Sequence, residues 1–367
     1  MNIFYVAMAS ANNVVLRQSR IWESNLKQTL VQMGQNVIEP SFDSGDMAYH
    51  CMGRDAHCDP VEARAHYSSR LVADVAGAHR SPGIDLFLGY LYSAMILPDA
   101  IDFVKALGIP TVNFYCNNIH QFDLVSEIAP HFDYCMFPER DAEPLYRAVG
   151  ANPVHIQMGA NPQVYRPYEL SRQYDVSFVG SRYLNRERYM AHLYHGGIEC
   201  HAWGPGWDYA VPTTLRAMLG RLRRRCMAIV RGSPTDQRLP SDRRHPPLSD
   251  DELIRMYSRS KISLGFSEVR LPDGSLRRHI RLRDFEAPMS GALYFTGFQD
   301  ELAEYYEIGK EVVCYDTQVE LLDKVRYYLA HDSQAEKVRR AGLERARRDH
   351  TWENRFRQLF GVIGLRY

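Results

Sequence analysis

The feature that most constrains the fold of this chain is a regular alternation of short apolar runs with helical patterns. Ile3–Ala7 is typical of a strand, Arg20–Met33 of a helix that ends at Gly34, and Asn36–Glu39 of a second strand. Further strands are predicted at Ile84–Gly89, Pro110–Tyr115, Asp133–Phe137 and Pro153–Gln157. Strands that alternate with helices form a parallel sheet with helices on both faces.

The same pattern begins again after a segment with linker character, Gly159–Tyr168, which contains two prolines. Strands are predicted at Tyr174–Val179, Gly197–Trp203, Lys261–Phe266, Ala292–Thr296 and Glu311–Tyr315. We therefore expect an α/β protein of two doubly wound, Rossmann-like parallel-sheet domains that face a cleft. The predicted domains are residues 1–166 and 167–349, and a C-terminal helix is expected within residues 350–367.

Composition limits the classes of function. The 44 basic and 44 acidic side chains give no net charge, so a nucleic-acid partner is not expected. The seven cysteines are mostly scattered singly, as in proteins of a reducing compartment. No run approaches the roughly 20 apolar residues that span a bilayer. The sequence predicts a soluble cytoplasmic protein, at most peripheral at the inner face of the membrane.

One basic segment interrupts the pattern. Residues 213–245 carry nine arginines and two aspartates, with the densest cluster at Arg221–Arg225. This stretch is either a solvated helix followed by a loop, or a basic amphipathic surface for a membrane, an anionic acceptor or a partner. Both interpretations remain open from sequence, and the segment is treated as an insertion in the second domain.

The most informative motif is His279–Thr296, in which a short helix lies between two predicted strands. The amino end of that helix offers unpaired N–H groups and a positive dipole end, which suit a diphosphate. Arg281 and Arg283 lie there and could add charge-assisted bonds. Glu286 could accept both ribose hydroxyls of a nucleotide, or could instead pair with a neighbouring arginine.

A second motif follows the strand Tyr174–Val179. Gly180 and Ser181 form the turn into a helix, as at a nucleotide-binding strand–helix junction, and Gly180 lets the backbone approach a phosphate. Arg182 or Arg186 could neutralise a diphosphate leaving group. Surface arginines near a turn are the alternative explanation.

The region Arg281–Thr296, the following GFQDELAEYYEIGKEVVCYD and the tail HTWENRF resemble the CgeB-like (spore maturation protein B-like) glycosyltransferases of the GT-B superfamily. The resemblance covers roughly residues 170–360, with looser similarity before it. It implies a GT-B fold whose C-terminal domain binds the sugar donor, with Glu286 as the second glutamate of a Glu-x7-Glu pattern. It also implies that the helix within residues 350–367 crosses back to the first domain. The first position of that pattern is Arg278, so retaining stereochemistry does not carry over.

The resemblance also implies roles for two further regions. The loop after the strand that ends at Gly204 would lie near the nucleobase, with Trp203 as an aromatic wall or as a core residue. Arg186 would belong to the basic group that binds the diphosphate. Neither a metal nor a cofactor is expected, because arginines stabilise the leaving group in GT-B enzymes and the nucleotide sugar is a co-substrate.

The acceptor side is predicted at the carboxyl ends of the strands of the first domain. His120 and Asp123 are the candidate catalytic residues, since an acceptor hydroxyl must lose its proton during inverting transfer. Polar loop residues that merely bond backbone are the alternative. The other acceptor-side candidates are Ser10, Asn12, Tyr90, Asn117 and Asn118.

Together with these residues, the resemblance implies a glycosyltransferase that moves a sugar from a nucleotide-diphosphate sugar to an unidentified cytoplasmic acceptor, which could be a glycan, a protein or a small molecule. Two alternatives share this architecture. One is a nucleotide-sugar epimerase or hydrolase, and the other is a binding protein without catalytic activity.

Overall fold

The computed structural model describes residues 1–7, 19–207 and 238–366, which divide into two compact units. The first unit comprises Met1–Val164, Arg270–Leu276 and Ala346–Tyr367. The second comprises Tyr165–Val269 and Arg277–Arg345. Within the described residues, no helix is both long and apolar enough to cross a membrane. Three of the sequence predictions, Ser10, Asn12 and the basic cluster Arg221–Arg225, lie outside the described residues.

The first unit is built on a six-stranded sheet in which all pairings are parallel. Its strands are β1 Asn2–Ala7, β2 Asn36–Ile38, β3 Leu86–Tyr90, β4 Thr111–Phe114, β5 Tyr134–Phe137 and β6 Pro153–His155, in the spatial order β2-β1-β3-β4-β5-β6. β1, β3 and β4 are almost entirely buried, as expected for parallel strands covered on both faces.

Helices cover this sheet. They are a π-helical turn at Glu23–Lys27 that continues into α1 Gln28–Gln32, then α2 Ser44–Cys51, α3 Pro60–Arg80, α4 Pro98–Ala106, α5 Asn118–Gln121 and α6 Glu143–Ala148. α3 begins where Asp59 accepts a hydrogen bond from the Val61 N–H and Pro60 occupies the first helical position. The sequence analysis did not predict α2 or α3.

The last helix of the chain, α13 Trp352–Val362, packs within the first unit. The fully buried Trp352 ring meets Phe114 of β4 edge-on with 5.5 Å between ring centroids. The Arg355 guanidinium donates to the Met158 carbonyl at 3.0 Å. The C-terminal helix therefore packs within the first unit, with Trp352 as a fully buried anchor.

The amino end of α13 offers a direct test of this packing. The Thr351 hydroxyl accepts a hydrogen bond from the Asn354 N–H, and Thr351 also forms a parallel bridge with Ala160. Thr351→Ala removes only the hydroxyl cap, so we expect the free energy of unfolding to fall by about 1 kcal/mol. Urea unfolding measures this change. An unchanged midpoint would mean that the Thr351 hydroxyl does not stabilise the helix.

The second unit contains another six-stranded parallel sheet. Its strands are β7 Tyr174–Val179, β8 Cys200–Trp203, β9 Arg244–His245, β10 Ser260–Leu264, β13 Tyr294–Gly297 and β14 Val313–Tyr315, in the order β14-β13-β10-β7-β8-β9. The chain proceeds from β7 toward one edge of the sheet and then returns to the other side of β7 with β10. The strand order thus reverses between β7 and β10, which is where doubly wound sheets bind ligands.

The helices of this unit are α7 Arg186–His195, α8 Asp250–Arg259, α9 Arg283–Met289, α10 Leu302–Tyr305, α11 Gln318–Ala330 and most of α12 Asp332–Asp349. β11 Glu268–Arg270 and β12 Leu276–Arg278 form a separate two-stranded sheet. α8 begins at a capping box between Ser249 and Glu252, a pattern that is visible in the sequence.

The predicted fold class is confirmed, because both sheets are parallel, six-stranded and doubly wound. Two details differ from the sequence prediction. The pair β11 and β12 was not predicted, and the end of the expected basic insertion is the edge strand β9. β9 has only two residues, which is too short for a periodic pattern to be recognised in the sequence. It is defined by its pairing with β8.

Candidate functional site

The carboxyl edge of the second sheet brings together most of the residues predicted to bind a donor. Gly180 follows β7 and Gly265 follows β10, so these glycines flank the point where strand order reverses. Side chains are excluded here: a Cβ on Gly204 would lie 2.4 Å from the Gly180 carbonyl oxygen, and a Cβ on Gly265 1.8 Å from the Tyr294 hydroxyl. The backbone at this edge can therefore pack closely only because these positions are glycine.

Arg186, the first residue of α7, extends over this edge. Its Nη1 donates to the Ser181 carbonyl at 2.9 Å. The guanidinium carbon lies 5.4 Å from the Phe178 ring centroid and 5.9 Å from that of Phe266. Aromatic faces attract a cation and hold it in place, so the position of Arg186 is set by rings from both sides of the switch point.

Arg281 and Arg283 approach the same place from the loop before α9 and its first residue. A Cβ on Gly180 would lie 3.4 Å from Nη1 of Arg283. The Arg281 side chain donates to the Glu268 carbonyl at 3.1 Å, and its backbone N–H donates to Oδ2 of Asp284 at 2.6 Å. We call Arg186, Arg281 and Arg283 the arginine cluster.

The electrostatics of the arginine cluster indicate an excess of positive charge. Burial, followed by the positive charges of Arg281 and then Arg283, lowers the pKa of Arg186 to about 10. A like charge disfavours ionisation only when it is close and poorly screened. An anion bound among the three side chains would relieve that repulsion, so the arginine cluster suits a ligand with several negative charges.

Asp284 supports the arginine cluster and was missed by the sequence analysis. It is 1% exposed, accepts from the Tyr294 hydroxyl at 2.8 Å and holds the backbone of Arg281. Burial raises its pKa, and hydrogen bonds from Arg281 and Tyr294 act against that rise. The N–H groups of Asp284 and Phe285 at the start of α9 donate to the Arg281 and Leu282 carbonyls at 2.9 and 3.0 Å, so the guanidinium groups are the better candidates for binding an anion here.

Other predicted donor residues lie nearby with different partners. Arg182 forms an ion pair with Glu187, which distinguishes it from Arg186. Trp203 is 6% exposed and packs in a cluster with Val179 and Met256, and its ring stacks on His245 at 4.6 Å. The indole of Trp203 thus offers little free face to a nucleobase.

Glu286 lies deeper than the sequence suggested. The residue is 2% exposed and lies in the first turn of α9. Burial raises the pKa of Tyr165, and the charge of Glu286 raises it further. Burial lowers the pKa of Arg283, but Tyr257 and then Glu286 outweigh that effect and the net shift is upward. Glu286 is thus close enough to Arg283 to compensate part of its charge.

Arg278 occupies the position where the resemblance would place a donor-binding glutamate. Its guanidinium pairs with Asp316 and donates to the Phe298 carbonyl at 3.0 Å. Oε1 of Glu268 lies 3.9 Å from the Nε atom of Arg278. Arg278 is therefore held by acidic and carbonyl groups of its own unit.

The first unit carries the predicted acceptor-side residues near the carboxyl ends of β3 and β4. Tyr90 is buried, and its hydroxyl lies 3.2 Å from the Cys116 sulfur. Asn118 is fully buried; it donates to the Tyr115 carbonyl at 2.9 Å and accepts from the Tyr146 hydroxyl at 2.5 Å. Asn118 thus serves to hold its own loop.

The remaining residues of that loop are more accessible. Asn117 and His120 are half-buried and Asp123 is exposed, on α5 and the 3-10 turn after it. Glu139, which the sequence analysis did not single out, follows β5 and accepts from the Ile119 N–H at 2.7 Å. The loop that carries His120 is therefore anchored, just before this residue, by the buried polar groups of Asn118 and Glu139.

Comparisons with known proteins agree with this geometry. Residues 182–361 match the family described as glycosyl transferase-like. No curated protein matches the sequence. Sucrose-phosphate synthase from Thermosynechococcus elongatus is similar in structure, with 14% identity, a TM-score of 0.54 and coverage of 99% of this chain and 100% of that one.

Two further solved structures cover almost the whole chain. The HepE protein of Anabaena, in complex with UDP-glucose, has 10% identity, a TM-score of 0.55 and coverage of 99% of both chains. A glycosyltransferase from Rickettsia africae has 10% identity, a TM-score of 0.56 and coverage of 98% of this chain and 97% of that one. At these identities the likeness shows the fold, which is that of GT-B glycosyltransferases.

Proposed function

We propose that this chain, whose residues 182–361 belong to the glycosyl transferase-like family, transfers a sugar from a nucleotide-diphosphate sugar to an acceptor. The arginine cluster at the switch point of the second sheet is the observation that carries the proposal. Its three guanidinium groups converge at the carboxyl edge of the sheet, where burial, followed by the charges of Arg281 and Arg283, lowers the pKa of Arg186.

The chemistry of sugar transfer needs such a cluster. As the glycosidic bond of the donor breaks, negative charge develops on the departing nucleoside diphosphate. Positive groups fixed near that charge stabilise the transition state more than the ground state. Arg186, held by aromatic rings and the Ser181 carbonyl, changes position little when a donor binds, so it meets the developing charge without reorganisation. UDP-glucose is the first donor to test, because the Anabaena neighbour is in complex with it.

Glu286 is proposed to bind the ribose as well as to compensate Arg283. The prediction compares two ligands that differ in the ribose hydroxyls, UDP and 2′,3′-dideoxy-UDP. Glu286→Gln should weaken the binding of UDP about tenfold, which corresponds to about 1.4 kcal/mol, because a carboxylate that accepts hydrogen bonds from the ribose is lost. Binding of 2′,3′-dideoxy-UDP should change much less, as calorimetry can measure. Equal losses for both ligands would assign Glu286 to the support of Arg283 alone.

The acceptor half of the proposal is placed on the first unit. His120 and Asp123 are proposed to receive the proton of the acceptor hydroxyl, on the grounds that both are accessible titratable groups of the loop after β4. Cytoplasmic location, membership of the CgeB-like group and independence from metal ions are parts of the same proposal. The basic segment around Arg221–Arg225 is proposed to engage an anionic acceptor, partner or membrane surface.

The experiment that tests the proposal follows the sugar. The protein is incubated with UDP-glucose labelled in the glucose and a panel of glycan, peptide and small-molecule acceptors, and the products are separated. Label joined to an acceptor supports transfer. Free or epimerised glucose in all mixtures would favour hydrolysis or epimerisation instead. Donor binding without any product from UDP-, GDP- or dTDP-sugars would favour a non-catalytic binding protein.

A further inference from the structure

The second unit contains a charged cavity whose lining does not include Arg186, Arg281 or Arg283. It has a volume of about 570 Å³ and is lined by Pro167, Tyr168, Leu170, Arg172, Tyr257, Ser258, Gly291, Glu336, Arg339, Arg340 and Leu343. Arg172 precedes β7, and Arg339 donates to the carbonyl of Lys261 in β10 at 2.8 Å. The cavity therefore lies at the amino edge of the sheet, and we call it the amino-edge cavity.

The lining of the amino-edge cavity carries more positive than negative charge. Three arginines and one glutamate line it. Arg172 bonds to Oε2 of Glu336 at 3.0 Å, and Arg339 pairs with the same oxygen, so one carboxylate serves two guanidinium groups. Arg340, whose side chain is 78% exposed, pairs with Glu344, which does not line the cavity.

Arg339 is the fixed element of this group. Only 7% of the residue is exposed, and its guanidinium is held by the Lys261 carbonyl and Glu336. Burial, followed by the charge of Arg172, lowers the pKa of Arg339, and the opposing effect of Glu336 is smaller. A buried guanidinium next to a second arginine is a position that a further anion would stabilise.

Apolar and aromatic surface surrounds these charges. Leu170 and Leu343 line the same cavity, and the Tyr168 ring lies 4.5 Å from the Arg255 guanidinium carbon and 4.9 Å from that of Arg166. The volume falls within the range of roughly 300–1,000 Å³ that is typical of small-molecule sites and far exceeds one phosphate ion. A fitting ligand thus combines an anionic group with an organic body.

We propose that the amino-edge cavity binds a small phosphorylated organic molecule, with its phosphate on Arg172, Arg339 and Arg340. Guanidinium groups bind phosphate through paired N–H donors, and a carboxylate-bearing ligand would use fewer of the three. The organic body packs against Tyr168 and Leu343. This site is separate from the arginine cluster and does not depend on the proposed transfer activity.

The test uses the full chain and glucose 1-phosphate as the probe, measured by isothermal titration calorimetry. The double variant Arg172→Ala/Arg340→Ala removes the two more exposed guanidinium groups and leaves the buried Arg339 in place. We expect it to lose about tenfold or more in affinity. The matched control is Arg147→Ala/Arg357→Ala. It also removes two exposed arginines that form ion pairs with glutamates, in this case glutamates four residues away. The control should bind like the unmodified chain.

A third variant, Arg186→Ala, separates this site from the arginine cluster. Binding of glucose 1-phosphate that survives in Arg186→Ala and falls in Arg172→Ala/Arg340→Ala supports the proposal. Binding that is lost in Arg186→Ala, or unaltered in Arg172→Ala/Arg340→Ala, overturns it. So does an absence of binding at millimolar probe, or glucose that binds as tightly as its phosphate. Circular dichroism of each variant confirms that folding is retained.

Discussion

Replacing Arg186 with alanine should lower the affinity for UDP by about 100-fold, which corresponds to about 2.7 kcal/mol. The reason is that Arg186 combines a full charge with a fixed position above the Phe178 and Phe266 rings. Hydrogen bonds to charged groups are worth roughly 1.5–3 kcal/mol each, and a partly buried guanidinium bound to a diphosphate lies at the upper end. Isothermal titration calorimetry with UDP measures the change.

Arg188 provides the matched control for that experiment. It lies on the same helix as Arg186, is exposed, and its loss changes the net charge by the same amount. Arg188→Ala should bind UDP like the unmodified chain at physiological salt, since exposed charges are screened over about 8 Å. Equal weakening by both substitutions would mean that Arg186 acts only through the overall charge of the unit.

The second large effect is expected at Gly204, where a loop after β8 touches the loop after β7. Gly204 has a φ of +135°, and a Cβ there would lie 2.4 Å from the Gly180 carbonyl oxygen. Gly204→Ala should reduce the free energy of unfolding by about 3–5 kcal/mol, because backbone strain and a backbone collision add. Urea unfolding measures the loss.

Gly206 separates the contribution of backbone strain from that of the collision with the Gly180 carbonyl. It lies in the same loop with a φ of +80°, but a Cβ there would have its nearest neighbour at 3.5 Å, an ordinary contact. Gly206→Ala should therefore cost only the strain of positive φ, about 1–2 kcal/mol. If Gly204→Ala costs no more than Gly206→Ala, the two loops are not in the close contact described above.

Much of the fold could be predicted from sequence because parallel strands buried on both faces leave strong apolar runs. β7 was predicted with its bounds unchanged, and a helix was predicted after the turn at Gly180 and Ser181, where α7 follows. Strands β9, β11 and β12 were not predicted because they leave no apolar run in the sequence. β9 has only two residues, and β11 and β12 are short, mostly solvent-accessible strands that pair with each other.

The site was predictable to a smaller extent. Arginines after a strand and before a helix are visible in sequence, so Arg186, Arg281 and Arg283 were found. What sequence could not supply is the distinction between Arg186 and Arg182, because it depends on the ion pair of Arg182 with Glu187. Asp284 was missed because a carboxylate that holds a backbone N–H has no motif of its own. Trp203 was named as a possible nucleobase contact, but it is buried against Val179 and Met256. Sequence alone could not show this packing.

The central claim is that the arginine cluster of the second unit binds the diphosphate of a nucleotide sugar. The most direct measurement is calorimetric titration of UDP, GDP and dTDP into the unmodified chain and into the double variant Arg186→Ala/Arg281→Ala. We expect at least one nucleotide to bind the unmodified chain, and we expect the double variant to lose that binding while remaining folded. A nucleotide that binds both proteins equally would contradict it, as would a failure of all three to bind the unmodified chain.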